Sequence, residues 1–360
     1  MNLSNELFRT LSVPLQAFLR KCATKPFSVG ISLTERCNSK CAMCDYWKKS
    51  GLELSFNQIE HILDQVSRLG VEVVNYSAHG EIFVNRNIKE ILTHTRDLGF
   101  TLSLNTNALA LADEQNALFL GNEIKPFLIS IGLDTVNDEI YEKIRGISSG
   151  LSRVKKAIAN LMQAGIHNIT LGSVILDHNL DHLTSLVTFA ETMHLSAVRF
   201  TAYQRFFQQS DYTWSRLSEK EYLSKLRLRI DELLHLQKSH SIMRNSSYYL
   251  KKIPDFYSSR HFFPVKCVVG YLRMDIMENG DVTLCPFLGK PIGNVFENKL
   301  SEIWFSEKAN KVRQQMLEGH CPGCWLSCFA EENIRFTFKH GLNANWQALM
   351  RYRRMEKNTV

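Results

Sequence analysis

Three cysteines, Cys37, Cys41 and Cys44, stand at C-x3-C-x2-C spacing directly after an apolar run from Phe27 to Leu33. Three thiolates on one short loop can hold three irons of a cubane 4Fe–4S cluster. The fourth iron then has no protein ligand and stays open to a small molecule. A structural zinc site takes four protein ligands, and a ferredoxin cluster takes its ligands from four cysteines. The loop therefore points to iron that binds something as well as carrying electrons. The competing reading is three cysteines packed as small apolar side chains. Five more cysteines, Cys267, Cys285, Cys321, Cys324 and Cys328, fall near the other end of the chain. They suffice for one four-ligand cluster with one thiol to spare, and four of them also suit tetrahedral zinc.

The elements that must position these thiols can be read from periodicity. Ser55-Phe56-Asn57-Gln58 is a capping-box start, and Ile59, Ile62, Leu63, Val66 and Leu69 follow at helical spacing up to Gly70. Further helices are expected near 87–98, 152–164 and 180–193, the first two stopping at Gly99 and Gly165. Strand-like runs fall near 28–33, 71–77, 100–105, 127–133, 168–176 and 197–202. Strands alternating with helices predict parallel βαβ units. Six units give an incomplete barrel or an open sheet, with chemistry at the C-terminal strand ends. The first cysteine loop lies just past the first of those ends. Residues 204–262 read as a helical bridge rich in charge and aromatics, including Phe206, Phe207, Tyr212 and Trp214. Beyond it, Asn279-Gly280-Asp281 is a hairpin turn, and one helix is expected near 299–317.

Composition narrows the class. The chain has 360 residues, 44% hydrophobic and 22% charged, the balance of a soluble globular protein. No apolar stretch has the length of a membrane span. Arg9, Pro14, Gln16, Arg20 and Lys21 interrupt the apolar core a signal peptide needs, and residues 3–19 read as a short amphipathic helix packed on the body. Nine cysteines without an export signal favour metal binding in a reducing cytoplasm over a disulfide framework. The net charge of +7 permits an anionic partner, but the basic residues are spread along the chain. Their densest group, Arg351, Arg353, Arg354 and Lys357, reads as a solvated tail rather than a nucleic-acid surface.

Cys37, Cys41 and Cys44 after a first strand resemble the signature of the radical S-adenosylmethionine (SAM) superfamily. Other landmarks fall in the same order. His79-Gly80-Glu81 resembles the family's Gly-Gly-Glu turn after the second strand, and Asn105-Thr106-Asn107 its segment after the third. Gly132-Leu133-Asp134 and Ile144-Arg145-Gly146 resemble its Ser-Leu-Asp and Ile-Arg-Gly stretches. The sequence departs at three positions: His79 replaces a Gly, Ile82 a Pro and Gly132 a Ser. The resemblance implies that the open iron chelates the amino and carboxylate groups of SAM. It further implies that Gly80 allows close approach, that Glu81 accepts from the SAM amino group, that Arg145 pairs with its carboxylate and that Asn105 contacts its ribose. His79 could act as a proton donor near the open iron, or be simply packed and hydrogen-bonded.

The C-x12-G-x4-C spacing of Cys267, Gly280 and Cys285, the Ile292-Gly293-Asn294-Val295 step and the late C-x2-C resemble the SPASM/twitch auxiliary domain of the same superfamily. Full SPASM domains carry two auxiliary clusters; this chain has cysteines for one, with Cys267, Cys285, Cys321 and Cys324 as ligands and Cys328 as alternative or spare.

The expected architecture is α/β: a partial (β/α)6 barrel followed by a small α+β SPASM/twitch-like cluster-binding domain. The expected boundaries are 1–26 for a helical extension, 27–203 for the barrel, 204–262 for the bridge, 263–335 for the auxiliary domain and 336–360 for a basic tail. The implied cofactors are a SAM-binding 4Fe–4S cluster, a second, auxiliary 4Fe–4S cluster, and SAM itself. The implied activity is cleavage of SAM to a 5′-deoxyadenosyl radical that takes hydrogen from a peptide or small metabolite, for net oxidation or bond formation. The implied partners are that substrate and an external reductant such as flavodoxin or ferredoxin, with no membrane and no nucleic acid. A radical enzyme acting on RNA and a non-catalytic iron–sulfur carrier are the alternatives.

Overall fold

The computed structural model describes residues 12–22, 24–49, 51–77, 79–204, 219–259 and 261–336. The basic tail and the aromatics Phe206, Phe207, Tyr212 and Trp214 lie outside them. Residues 12–19 are helical (α1), and residues 3–11 of the expected helix lie outside the described residues. Helix α1 turns Val13 and Gln16 inward but leaves Leu15, Phe18 and Leu19 exposed, so the apolar side expected to pack on the body faces outward in part.

Six parallel strands follow: β1 (Ser28–Ile31), β2 (Val73–Tyr76), β3 (Thr101–Thr106), β4 (Leu128–Gly132), β5 (Ile169–Ile175) and β6 (Ala197–Ala202). Between them come α2 (Phe56–Arg68), α3 (Ile88–Asp97), α4 (Glu114–Phe119), α5 (Asp138–Arg145), α6 (Gly150–Gln163) and α7 (Leu183–Thr192). The capping box at Ser55 is formed, with Gln58 as its partner. One set of strand side chains, such as Val29, Ile31, Val74, Tyr76, Leu102, Leu104, Ile129 and Ile131, is fully buried in the apolar core. The alternate set is mostly small or polar and includes Gly30, Asn75, Ser103, Asn105, Ser130, Gly132 and Gly172. It lines the barrel interior, the face on which a mouth at the strand ends can open.

Helices α8 (Glu219–Ser239) and α9 (Ser247–Ser258) fall in the stretch expected to be helical. The chain then returns to the barrel's own sheet. Strand β7 (Arg273–Ile276) pairs parallel with β1, and β8 (Asp281–Thr283) and β9 (Gly293–Asn294) add antiparallel strands outside it. The result is one nine-stranded sheet in the order β6-β5-β4-β3-β2-β1-β7-β8-β9. The single helix expected near 299–317 is two, α10 (Leu300–Phe305) and α11 (Glu307–Glu318). Ser306 breaks it: its backbone is extended, and its side chain caps α11 by accepting from the Ala309 N–H.

Helix α12 (Ser327–Arg335) closes the described chain. Its Ser327 hydroxyl lies 2.6 Å from the Thr201 hydroxyl on β6. Its Phe329 ring lies 5.4 Å from the Arg273 guanidinium on β7. It thus lies across the side on which the six-stranded curl does not close on itself.

Candidate active site

The first cysteine loop is held from two sides by backbone it does not own. On one side is the C-terminus of α5: Lys40 N–H donates to the Arg145 carbonyl at 3.2 Å and Ala42 N–H to the Ile144 carbonyl at 2.8 Å. Gly146 ends that helix at φ +67°, and a Cβ there would meet the Lys40 carbonyl oxygen at 2.5 Å. Only glycine combines that left-handed backbone with so close an approach.

On the other side is the turn after β2. Gly80 and Glu81 donate their N–H groups to the carbonyls of Thr34 and Arg36, both at 2.9 Å. A Cβ on Gly80 would fall 2.1 Å from the Arg36 oxygen. Gly80 therefore provides close approach, here to the segment leading into Cys37. Glu81 is 2% exposed. Its carboxylate accepts from Thr106 Oγ1 at 2.6 Å, the Asn107 N–H at 2.7 Å and the Phe83 N–H at 3.2 Å. Burial pushes its pKa up, against the pull of those bonds. Asn107 in turn donates from Nδ2 to Asn38 Oδ1 at 2.7 Å and Ser39 Oγ at 3.0 Å. The chain Arg36–Glu81–Asn107–Asn38 thus fixes the loop between its first two cysteines.

Arg145 reaches into the barrel mouth. Its Nε lies 2.7 Å from Asp134 Oδ2, and its Nη1 lies 4.0 Å from Cys41 Sγ. Burial works against its charge, but Asp134 and Cys41 outweigh that and hold the guanidinium protonated. The departure at Gly132 has a local reason, since a Cβ there would meet the guanidinium nitrogens at 3.0 and 3.1 Å. Asn105 is half-buried at the end of β3, on the interior face, in register with Ser130.

The thiols of Cys37, Cys41 and Cys44 are all pushed up by burial, Cys37 to about 11, and ionised Cys41 and Cys44 would each raise Cys37 further. Three unpaired thiols, Cys41 buried and Cys37 and Cys44 partly so, close enough to repel one another when ionised, suit cations that displace their protons. The loop fits a thiolate-bound cluster on that chemistry.

The histidine that replaces the family glycine is stacked and hydrogen-bonded. His79 stacks on Tyr46 with ring centroids 3.9 Å apart and 7° between planes. Its Nδ1 lies 3.2 Å from Glu278 Oε2, and its N–H donates to Ser32 Oγ at 3.2 Å. Ser32 also donates to Glu278. Burial raises the Glu278 carboxyl, but His79 and Ser32 outweigh it and hold the group below the usual carboxylate range. Glu278 sits in the β7–β8 turn, so the second module touches the turn that flanks the cysteine loop. Nothing local in the sequence signals this contact.

Cys267, Cys285, Cys321 and Cys324 line one cavity with apolar walls that include Phe262, Phe287, Trp325 and Phe329. Burial pushes Cys267 up to about 11, Cys285 to about 12, and Cys324 well above its ordinary value. Cys328 does not line it; on α12 it acts electrostatically on Arg273 and Tyr249. Among the described residues no three His, Cys, Asp or Glu side chains converge as ligands of a single metal ion do.

Thr106, Asn107 and Asp134 received no individual role from the sequence, although all three lie inside the stretches that carried the resemblance.

Comparison with known proteins agrees with this geometry. The model of the radical SAM superfamily matches residues 31–190, and that of the SPASM iron–sulfur cluster-binding domain matches residues 267–325. The chain is similar to a PqqA peptide cyclase of Rhodopseudomonas palustris, 23% identical over 83% of this chain and 79% of that protein. It is also similar to the antilisterial bacteriocin subtilosin biosynthesis protein AlbA of Bacillus subtilis, 24% identical over 84% of this chain and 67% of the relative. Among solved structures, Streptococcus suis SuiB bound to its precursor peptide SuiA superposes with a TM-score of 0.65 at 17% identity, over 87% of this chain and 72% of that one. Native anSMEcpe with bound AdoMet gives 0.62 at 18% identity, over 93% and 99%. Among the described residues no helix is long and apolar enough to cross a membrane. With a three-thiol loop at the mouth of a six-stranded parallel barrel and a four-thiol cavity on the same sheet, the chain belongs to the radical SAM superfamily, carries a C-terminal SPASM domain, and uses SAM and 4Fe–4S clusters as cofactors.

Proposed function

We propose that this protein is a peptide-modifying radical SAM enzyme that oxidises its substrate or forms a new bond in it. The observation that carries the reading is the parallel pairing of β1 with β7, which puts the four-thiol cavity on the sheet whose first strand leads into the three-thiol loop. The peptide class rests on the relatives, a peptide cyclase and a bacteriocin biosynthesis protein, and on SuiB, crystallised with a precursor peptide. When bound, the reduced cluster and SAM supply a 5′-deoxyadenosyl radical that takes a hydrogen atom from an unactivated C–H bond.

The chain's own residues hold and shield. Cys37, Cys41 and Cys44 would hold the SAM-binding cluster, and Cys267, Cys285, Cys321 and Cys324 the auxiliary one. Arg145, held charged beside Cys41, presents a cation at the mouth, where the carboxylate of SAM carries its negative charge. Glu81 acts through Asn107 on the loop itself. Asn105 and Ser130 offer polar groups from the strand ends. Apolar walls around the second cavity would keep water from an auxiliary cluster held there. Nine unpaired thiols suit a reducing, cytoplasmic setting, with an external flavodoxin or ferredoxin as reductant.

Anaerobic reconstitution tests this directly. The full chain should bind about eight irons, two cubanes, and form 5′-deoxyadenosine from SAM and reductant, faster with its peptide present. Iron-replete protein that forms no nucleoside would turn the assignment toward an electron carrier.

A further inference from the structure

Three arginines of the described chain reach the barrel interior, and two already hold a carboxylate. Arg145 pairs with Asp134 at 2.7 Å, and Arg273 with Asp275 at 2.5 Å. The third, Arg199 on β6, has no ion-pair or hydrogen-bond partner among the described residues, and its Nε is buried. Its orientation follows from the sheet. Val198 and Phe200 on either side are fully buried in the core. Two residues on, Thr201 touches Ser327 of the helix that crosses the barrel's open side. Arg199 is in register with Gly172, and Gly172 with Gly132. Over Gly132 lies the Arg145 guanidinium. A Cβ on Gly172 would find its nearest heavy atom, Ser130 Oγ, 3.6 Å away. The two glycines leave open floor between the arginines.

A second observation marks the same face. Thr170, two residues before Gly172 and in register with Ala197, is 2% exposed, and its hydroxyl has no partner. A buried donor without an acceptor is costly, and the partly buried Arg199 adds a second one in its Nε. An Arg–Thr pair left open on a glycine floor is completed by a ligand with several acceptor oxygens. The guanidinium fork matches a carboxylate in bidentate geometry.

We propose that Arg199 and Thr170 form a carboxylate-binding subsite inside the barrel that receives an acidic side chain of the substrate peptide. The subsite rests on the peptide reading for the source of its ligand. Its chemistry is shared by three carboxylates: an acidic side chain, a peptide C-terminus and that of SAM.

Binding without turnover separates them. The reconstituted full chain, saturated with SAM, is titrated with N-acetylglutamate N-methylamide, its glutamine counterpart, and N-acetylglycylglycine for a C-terminus. We expect the acidic side-chain probe to bind at least tenfold tighter than the amide and tighter than the C-terminal probe. Arg199→Gln should bring the acid and amide within about twofold while leaving iron content and SAM affinity as they are. Arg199→Lys should keep part of the preference, and Thr170→Val should weaken the acidic probe by a smaller factor. Equal binding of acid and amide by the wild-type protein overturns the subsite whether or not a variant folds. A preference for the C-terminal probe reassigns its ligand, and loss of SAM affinity in Arg199→Gln assigns the arginine to SAM. Failure of the peptide reading reads differently, as no peptide stimulating 5′-deoxyadenosine formation, a measurement in which these probes play no part.

Discussion

Asn107 spends its side-chain amide on Asn38 and Ser39 while Glu81 accepts from its backbone N–H. Removing the amide leaves the buried Ser39 oxygen without this donor, at a cost of about 1–3 kcal/mol. Asn107→Ala should therefore loosen the loop between Cys37 and Cys41 and leave the second cavity untouched. After a chelator challenge we expect about four irons per chain, one cubane, where the wild type keeps about eight. Full retention of iron would show that the thiols alone hold the loop. Cys41→Ala gives the limiting case: SAM cleavage should vanish while the C-terminal cluster remains. The cysteines were legible because ligand spacing is a local property. The work of Asn107, Asp134 and Glu278 was not, because it depends on which neighbour each side chain meets after folding. Glu81 shows the difference: its place in the turn could be read, but not the three donors that occupy its oxygens.

At the scale of elements, the cysteine loop depends on how α5 ends. That helix stops at Gly146, and its last carbonyls, Ile144 and Arg145, accept from the loop. Gly146→Ala imposes the left-handed penalty of about 1–2 kcal/mol and drives a methyl group into the Lys40 carbonyl. Since Lys40 precedes Cys41, the clash moves the ligand itself. We expect Tm to fall by at least about 2–4 °C, the shift that follows from about 1 kcal/mol in a domain of this size, and SAM cleavage to fall further than stability does. A variant that lost stability but cleaved SAM at the wild-type rate would separate the helix end from the site. The six strands and their helices were legible from periodicity, and the split between α10 and α11 was not. The apolar spacing continues across Ser306, and only its extended backbone and its cap on Ala309 reveal the break.

At the scale of the molecule, the two modules share one sheet and meet again at a buried carboxylate. Two modules could be read from the two cysteine sets. The β1–β7 pairing could not, because β7 is four residues long and reads equally well as one arm of a hairpin. Glu278, from the turn after β7, joins His79 and Ser32 beside the cysteine loop. Its carboxyl is held below the usual range, so the unfolded chain takes up its proton at a higher pH than the folded one. The stabilisation is then fully present above the unfolded value near 4.5 and is lost as pH falls through the lower folded value. Glu278→Gln keeps the shape and removes that titration. The apoprotein, free of acid-labile clusters, should show wild type more stable than the variant at pH 7, with the gap in Tm narrowing as pH drops below about 4.5. A gap that stayed constant from pH 7 to the acid limit would mean that the carboxylate charge does not hold the modules together. If the gap does narrow, the same contact gives the auxiliary module a direct hold on the His79-Gly80-Glu81 turn. Glu278→Gln should then also change the rate of SAM cleavage at pH 7, although the residue lies outside both sets of thiols.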